Sequence, residues 1–168
     1  TKVAFAAVKT GGSVVTWGSE FGGGDSERVK DQIRSGVKTI FSNSSSFAAL
    51  KDDGSVVAWG TLGSREVKRF STVADQLRSG VKTIFSTSRA FAALKEDGSV
   101  VTWGHPDSGG DSSMVSNKLT SGVKSISMTK RYATNLNQSE AFAALKEDGS
   151  VVTWGVSSYG GDSYRVRN

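Results

Sequence analysis

The apolar and polar positions of this chain follow one pattern that returns four times. Each copy opens on Phe-Ala-Ala, passes through a polar turn and closes on Val-Val, a small residue, Trp and Gly, at residues 5–18, 47–60, 91–104 and 142–155. The turn contains Asp-Gly in three copies, with Gly54, Gly98 and Gly149, and Gly-Gly in the first. Because these pairs favour tight turns between apolar runs, each copy predicts an antiparallel β-hairpin.

A second phrase adds a third strand to the predicted repeat. Ser-Gly-Val-Lys, followed by Thr-Ile or Ser-Ile, occurs at residues 35–40, 79–84 and 121–126. Its alternation of apolar and polar positions predicts a strand with one buried face. The second strand of each hairpin instead carries Val on both faces, as in Val56-Val57, so both of its faces are expected to be covered.

The segment between each Trp-Gly and the next Ser-Gly-Val-Lys phrase contains two apolar residues four positions apart. The pairs are Val29 and Ile33, Val73 and Leu77, and Val115 and Leu119. This spacing, with Asp or Ser before it and Gly after it, predicts one or two turns of helix docked on the sheet. An extended strand with the same anchors is the competing interpretation.

The tryptophans recur at one position of the repeat and define its period. Trp17, Trp59, Trp103 and Trp154 lie 42, 44 and 51 positions apart, a spacing typical of propeller blades and solenoids. We predict a single repeat domain over residues 1–168, with units near 1–34, 35–78, 79–120 and 121–168. Equal placement before a strand-ending Gly favours packing of the Trp side chains between blades. An exposed stacking platform for sugars or bases is the alternative.

The recurring residues also resemble a known family. Phe-Ala-Ala-Leu-Lys-x-Asp-Gly-Ser-Val-Val-Thr-Trp-Gly, then a Gly-rich turn and a Val-x-x-Ile strand, is similar to the repeat of the regulator of chromosome condensation family. The resemblance covers essentially the whole chain. It implies an all-β β-propeller with four-stranded blades, usually seven in a closed ring. Long tandem-repeat relatives in some unicellular algae are especially similar, because their repeats carry Gly-Gly-Asp-Ser after Trp-Gly.

Two departures from that family limit what the resemblance implies. Gly-Gly-Asp-Ser, at residues 23–26, 109–112 and 160–163, stands where the family typically has Gly-Gln-Leu-Gly. The repeats are also short, which leaves little room for the insertions that nucleotide-exchange members use against a small GTPase. Exchange activity is therefore not implied, and a chromatin or small-GTPase regulator is the third functional hypothesis.

The count of elements predicts an incomplete array. Four hairpins accompany three Ser-Gly-Val-Lys strands, and propellers have at least four blades. The blades are therefore expected to form a small ring or open arc, to combine with a second copy, or to belong to a fragment whose edges other proteins cover. Because the sequence begins at Thr1 and not at Met, we expect a processed or partial chain. Because uncovered edge strands pair with other chains, we expect it to work in an assembly.

Catalytic chemistry finds little support in the sequence. The chain has no Cys, and its one His, His105, precedes Pro106 in a predicted turn, which favours an ordinary turn residue over a catalytic base. Acidic pairs such as Asp52-Asp53 lie at hairpin tips, where turn formation explains them. The Gly-Gly-Asp-Ser turns lack the nine-residue period of calcium-binding repeats. We predict no enzyme, no catalytic residue, no cofactor and no metal site.

Charge and hydropathy disfavour two further classes of protein, those that bind nucleic acid and those with a transmembrane helix. The net charge is +5, but the 21 Lys and Arg residues are scattered along the chain without a block of five or six, which disfavours nucleic-acid binding. No apolar run of about 18 residues is present, so no transmembrane helix is predicted.

One insertion breaks the period of the repeat. The gap from the last Ile of the third strand to the next Phe-Ala-Ala is seven positions in two repeats and sixteen in the last, after Ile126. A loop that breaks a repeat array often carries function. Charge beside an aromatic side chain makes the insertion a candidate partner-binding segment, and a neutral surface insertion is the alternative. The candidate residues are Lys130, Arg131, Tyr132 and Asn135.

These observations favour a non-enzymatic propeller-type scaffold or accessory subunit that mediates protein contacts in a larger complex. An organellar, membrane-bound energy-converting or photosynthetic assembly is one candidate setting, with the chloroplast as its compartment. A lectin-like ligand-binding module with pockets between repeats is the alternative function. The expected partners are other protein subunits or a second copy that completes the ring.

Overall fold

A computed structural model describes residues 1–60, 66–129 and 140–163 of the chain. The chain divides into two compact units, Thr1–Val81 and Lys82–Asn168, and each unit is described by itself below. The prediction of a single domain over residues 1–168, with its four unit boundaries, stays a prediction.

Within the described ranges the backbone forms eleven strands and one α-helix. The strands are β1 (Ala4–Val8), β2 (Val14–Gly18), β3 (Val37–Ser42), β4 (Ser46–Lys51), β5 (Val56–Gly60), β6 (Val81–Ser86), β7 (Ala90–Lys95), β8 (Val100–Gly104), β9 (Val123–Met128), β10 (Ala141–Lys146) and β11 (Val151–Gly155). The α-helix is α1 (Glu66–Val73), and short 3-10 turns lie between the sheets.

The strands form small sheets that follow the repeats, which confirms the all-β, blade-like fold. The described residues contain one two-stranded sheet, β1-β2, and three three-stranded sheets, β3-β4-β5, β6-β7-β8 and β9-β10-β11. Every hairpin has the same antiparallel register, with the Phe of its first strand directly opposite the Trp of its second. The first repeat has its hairpin alone, as the count of Ser-Gly-Val-Lys phrases predicts.

The sheets differ from the four-stranded blades that the resemblance implied. After each Trp-Gly strand the described backbone is helical, as at Glu27–Val29 and Ser113–Lys118, and in the second repeat α1 leads into a 3-10 turn at Ala74–Leu77. The helical interpretation is thus confirmed, and the extended-strand alternative is wrong. The second apolar residue of each predicted pair is buried beneath the turn, and the first is partly buried, because four-residue spacing places both on one side of a helix. The buried residues are Ile33, Leu77 and Leu119, and the partly buried ones are Val29, Val73 and Val115.

The hairpin turns are closed by one Asp and one Gly. In the second repeat the Gly54 N–H donates to the Lys51 carbonyl oxygen at 3.0 Å, and Gly54 has a φ of 75°. The Asp53 carboxylate accepts hydrogen bonds from the backbone N–H of Ser55 at 2.9 Å and from its hydroxyl at 2.6 Å. The turns that contain Gly98 and Gly149 repeat this arrangement.

Each unit has its own apolar core between neighbouring sheets. The core of the first unit contains Ala4, Ile33, Val37, Phe47, Ala49, Val57 and Trp59. The core of the second unit contains Ala90, Ala92, Leu94, Leu119, Val123, Ile126, Phe142, Ala144, Val152 and Trp154. In each unit one Phe–Trp pair that faces across a hairpin belongs to this core, Phe47 and Trp59 in the first and Phe142 and Trp154 in the second. The contacts of these two pairs show how one blade packs on the next.

Candidate protein-interaction surface

A Gly-rich loop of the first repeat covers the Phe–Trp pair of the second. The Trp59 indole Nε1 donates a hydrogen bond to the Gly23 carbonyl oxygen at 3.1 Å. Gly23 lies so close to the Phe47 ring that a Cβ added to it would approach Phe47 Cδ2 to 2.7 Å. Gly23 also has a φ of 89°, a conformation that favours glycine. The covered pair is almost fully buried, with Trp59 4% exposed.

The second unit repeats this contact. The Trp154 indole Nε1 donates to the Gly109 carbonyl oxygen at 3.0 Å. A Cβ added to Gly109, whose φ is 85°, would approach Phe142 Cδ2 to 2.5 Å. Trp154 is 3% exposed. In both of these cases a blade is covered by the loop of the preceding blade, and a glycine lies at the point of contact.

Every residue of the Gly-Gly-Asp-Ser motif has a structural role in this loop. The second glycine, such as Gly110, lies against the backbone of the preceding Trp-Gly, where a Cβ would come within 2.4 Å of Gly104. The Asp111 carboxylate accepts a hydrogen bond from the Ser113 N–H at 3.0 Å and so fixes the start of the next helical turn. The Ser112 and Thr102 hydroxyls lie 2.9 Å apart, which ties the loop to its own strand.

The Thr–Ser contact has a counterpart in the sequence, because Thr and Gly-Gly-Asp-Ser occur in the same repeats. Hydroxyls of the same kind meet at Thr16 and Ser26 and at Thr153 and Ser163. The second repeat has Ala58 in place of the Thr and also lacks Gly-Gly-Asp-Ser. The Thr and the Gly-Gly-Asp-Ser motif are present together in the first, third and fourth repeats and missing together from the second, which is the pattern expected of residues in contact.

The first blade presents the equivalent Phe–Trp pair to solvent. Phe5 and Trp17 stack with ring centroids 5.3 Å apart, as the buried pairs do. Phe5 is nevertheless 64% exposed and Trp17 51% exposed. Val3 and Val15 are also exposed. Val15 lies two residues before Trp17 in β2 and so on the same side of the hairpin, and Val3 lies two residues before Phe5, next to the start of β1. We call these four residues the first-blade face.

This exposure corrects the expectation that the four tryptophans share one environment. Trp59, Trp103 and Trp154 are buried, as blade packing requires, whereas Trp17 is half exposed. Repeat equivalence in the sequence hides the difference, because the residue that covers a Trp belongs to the neighbouring repeat and not to its own.

A third copy of the covering loop lies near the end of the described residues. Gly160 has a φ of 95°, and its N–H donates to the Ser157 carbonyl oxygen at 3.1 Å. The equivalent N–H groups of Gly23 and Gly109 donate to Glu20 and Pro106 in the same way. A Cβ added to Gly160 would meet no atom of the described residues within 4 Å. This loop thus has the covering geometry, and no ring of residues 1–60, 66–129 or 140–163 lies against Gly160.

The insertion extends from a closed hairpin neck. The Thr129 N–H donates to the Ala141 carbonyl oxygen, and the Ala141 N–H donates to the Thr129 hydroxyl, both at 3.0 Å. In the third repeat Thr87 and Ala90 make the same two bonds around a two-residue turn. The candidate residues lie outside the described residues and stay a prediction. They are Lys130, Arg131, Tyr132 and Asn135.

A buried carboxylate lies at the base of the insertion. Glu140 is buried, and its carboxylate accepts hydrogen bonds from the N–H and the hydroxyl of Ser88. Its own N–H donates to the Asp107 carbonyl oxygen at 3.0 Å. Glu140 thus connects the neck to the third repeat, a role that the sequence did not indicate.

The candidates considered for catalysis have structural contacts in turns. The His105 Nδ1 accepts a hydrogen bond from the Asp107 N–H at 3.2 Å and caps the 3-10 turn Pro106–Ser108. Asp53, Asp97 and Asp148 accept the hairpin-turn hydrogen bonds of Ser55, Ser99 and Ser150.

Metal and membrane features are absent from the part of the chain that the structure describes. No group of three or more His, Cys, Asp and Glu side chains in residues 1–60, 66–129 and 140–163 could hold a metal ion. No helix there is long and apolar enough to cross a membrane.

A cavity of about 610 Å³ lies in the first unit beside the covering loop. Phe21 and Arg28 line it from the first repeat, and Ala58 and Phe70 line it from the second. Its wall is mostly apolar, with Glu20 and Asp25 as acidic groups. It is therefore a pocket between two repeats, as the ligand-binding alternative requires.

Comparison with known proteins supports the fold. No family model and no curated protein matches the sequence. The solved structure of yeast RCC1 (Prp20) bound to Kap60 is similar with a TM-score of 0.55 and 17% identity, over 92% of this chain and 42% of that chain. Prp20p from Saccharomyces cerevisiae is similar with a TM-score of 0.51 and 19% identity, over the same shares.

This chain therefore spans less than half the length of the proteins it is similar to. The likeness and the blade-like sheets confirm the resemblance read from the repeats, at the level of the fold. The chain has the RCC1-like β-propeller repeat fold.

Proposed function

We propose that this chain is a non-enzymatic propeller-type scaffold that binds another protein through its first-blade face. The observation that carries the proposal is the exposure of Phe5 and Trp17, a stacked pair that is buried in each of the other repeats. A blade of this design has an aromatic pair whose packing partner comes from outside the blade. In the first repeat that partner is absent from the described residues.

The energetics of the face favour protein contact. Full burial of a large apolar side chain contributes about 1.5–3 kcal/mol relative to leaving it exposed. Tryptophan is enriched among the residues that dominate binding energy at protein interfaces. Two stacked rings flanked by Val3 and Val15 thus form a compact apolar patch whose indole N–H can also donate a hydrogen bond.

The edge of the first sheet supports the same proposal. β4 pairs with β3 on one side and β5 on the other, whereas β1 pairs with β2 alone in the described residues. An open strand edge is a template for main-chain pairing with another polypeptide.

The solved structures with this fold include proteins that bind proteins. Yeast RCC1 (Prp20) is described as bound to Kap60, and the study of Prp20p concerns its binding to Gsp1p and histones. These partners belong to those longer proteins, and a chromatin or small-GTPase role stays a prediction for this chain. Neither the fold nor the likeness supports the organellar energy-converting setting.

Site-specific photo-crosslinking in the native cells tests the proposal. A benzophenone amino acid replaces Trp17 in one variant and Met114, an exposed residue of the second unit, in the control. We expect protein adducts at position 17 well above those at position 114. Equal yields at the two positions would contradict a protein-binding first-blade face.

The second candidate function is ligand binding in the cavity beside the first covering loop. The lining of Phe21, Arg28 and Phe70 offers apolar contact and one cation to a small ligand. A glycan array with the isolated chain tests this candidate. Binding that is lost in Arg28→Ala and kept in Trp17→Ala would support it, and an array without any bound glycan would contradict the lectin-like form.

A further inference from the structure

We infer that the first-blade face binds the Gly160 loop of a second copy of this chain in a head-to-tail contact. The inference deepens the proposed function and rests on it, because the face is the same. It adds the identity of the partner and the group that fills the site.

The chain itself shows which group covers a Phe–Trp pair. In each unit one pair, with Trp59 or Trp154, is covered by a loop glycine with a φ of 85–89°, whose carbonyl oxygen accepts a hydrogen bond from the indole Nε1. These two examples indicate what binds such a face, namely a Gly-Gly loop that follows a one-turn 3-10 helix.

The loop at Gly160 meets each of these requirements. It follows the 3-10 turn Ser157–Tyr159, its φ is 95°, and the sequence after it is Gly-Asp-Ser, as in the two covering loops. A Cβ added to the adjacent Gly161 would come to 2.4 Å from the backbone of Gly155, as one added to Gly24 or Gly110 would from the equivalent Gly18 or Gly104.

Both halves of the contact are open in the described residues. Phe5 and Trp17 are more than half exposed, and no atom lies within 4 Å of the position of a Gly160 Cβ. In the expected contact the Trp17 Nε1 of one copy donates to the Gly160 carbonyl oxygen of the other, and the Phe5 ring packs on the Gly160 Cα. The two surfaces are different patches of one chain, so the association is heterologous.

Sedimentation of purified chains over a concentration series tests the contact. Trp17→Ala removes the ring, and Gly160→Asn adds a side chain at the contact with a residue that tolerates a positive φ. Gly149→Asn is the matched control, because Gly149 has a φ of 84°, also has no described atom within 4 Å of its Cβ position, and lies at a hairpin tip. Met114→Ala is the control for loss of an exposed apolar side chain, because Met114 is 94% exposed.

We expect the wild-type chain to self-associate and each contact variant to raise the dissociation constant at least tenfold, about 1.4 kcal/mol. The two controls should change it less than about twofold, about 0.4 kcal/mol. A mixture of Trp17→Ala and Gly160→Asn should form a heterodimer, because the first retains the loop and the second retains the face. Circular dichroism of every variant establishes that it is folded.

Three outcomes would overturn the inference: a wild-type monomer at all concentrations, self-association that Gly160→Asn leaves unchanged, or a mixture that does not associate. The crosslinking at position 17 separates this failure from failure of the proposed function. Adducts with this same chain support both statements. Adducts with a different protein would support the scaffold proposal and contradict the inference that the partner is a second copy of this chain. Absence of protein adducts would contradict both statements.

Discussion

The indole Nε1 of Trp154 donates a hydrogen bond to the carbonyl oxygen of Gly109, 45 residues earlier in the chain, at 3.0 Å. The same glycine has a positive φ, and a Cβ added to it would approach Phe142 Cδ2 to 2.5 Å. Residue 109 must therefore adopt a positive φ, approach the Phe142 ring closely and present its carbonyl oxygen to Trp154. Glycine satisfies the first two requirements together because it has no Cβ.

Alanine substitutions at Gly109 and Gly160 should separate the cost of packing from the cost of backbone strain. Both residues have a positive φ, which costs a non-glycine residue about 1–2 kcal/mol. Gly109→Ala also places a Cβ at 2.5 Å from Phe142, whereas Gly160→Ala meets open space. Overpacking of this kind costs about 1–3 kcal/mol. We therefore expect Gly109→Ala to lower the free energy of unfolding by about 1–3 kcal/mol more than Gly160→Ala does. Urea denaturation at concentrations where the chain is monomeric measures both losses. Equal losses would contradict the covering contact.

Trp103→Ala and Trp17→Ala should differ in their effect on stability. Trp103 is fully buried, and removal of a buried Trp side chain costs about 3–5 kcal/mol. Trp17 is half exposed and chiefly loses its stacking with Phe5, which contributes about 0.5–1.5 kcal/mol beyond area burial. Urea denaturation of the two variants measures the difference. A loss at position 17 as large as that at position 103 would show that the first-blade face is packed in the monomer.

The hairpin-turn carboxylates should respond to removal of one hydroxyl. The Ser99 hydroxyl and backbone N–H donate to Asp97 and hold the pKa of its carboxyl below the ordinary 3.8. A folded pKa below the unfolded value means that the ionised carboxylate stabilises the fold above about pH 3.8 and that this contribution is lost as the pH falls through the folded pKa. Ser99→Ala should raise the Asp97 pKa toward 3.8 and leave that of Asp148 unchanged. An NMR titration of the side-chain carboxyl carbons measures both values, and an unmoved Asp97 would contradict the assignment.

Deletion of residues 130–138 should leave the fourth blade folded. The remaining Thr129-Ser139-Glu140-Ala141 has the length of Thr87-Ser88-Arg89-Ala90 in the third repeat, so the neck bonds and the contact of Glu140 with Ser88 are retained. Because loop length changes closure entropy slowly, we expect the unfolding free energy to change by less than about 1 kcal/mol.

The same deletion variant tests the candidate residues of the insertion. Loss of a partner that the full chain binds, with the fold intact, would support a binding role for Lys130, Arg131, Tyr132 and Asn135. Retention of every partner would leave the neutral surface insertion as the explanation.

The local elements of this fold could be predicted from the sequence because their causes lie within one repeat. Asp-Gly turns, alternating strands and the four-residue spacing of Val115 and Leu119 depend on neighbours in the chain, and the structure has each of them. The third strand missing from the first repeat also follows from counting phrases. The four-stranded blade implied by the resemblance was wrong, because the segment after Trp-Gly has helical spacing.

The candidate surface could not be predicted in the same way. Whether a Trp is buried depends on a loop in the preceding repeat. Trp17 and Trp59 therefore occupy the same position of the repeated phrase but differ in exposure. Glu140 acquires its role from Ser88, a residue in another repeat. The absence of both Thr and Gly-Gly-Asp-Ser from the second repeat was the available clue that loop and strand act as a pair.

The covering contact runs in one direction along the chain, from a loop to the aromatic pair of the following blade. A blade therefore derives its protection from its predecessor, and loosening of one loop deprotects the next blade while its own pair stays covered. Within each unit, amide hydrogen exchange should consequently spread from a disturbed loop toward the C-terminus, and the hairpin β1-β2 should exchange before β4-β5.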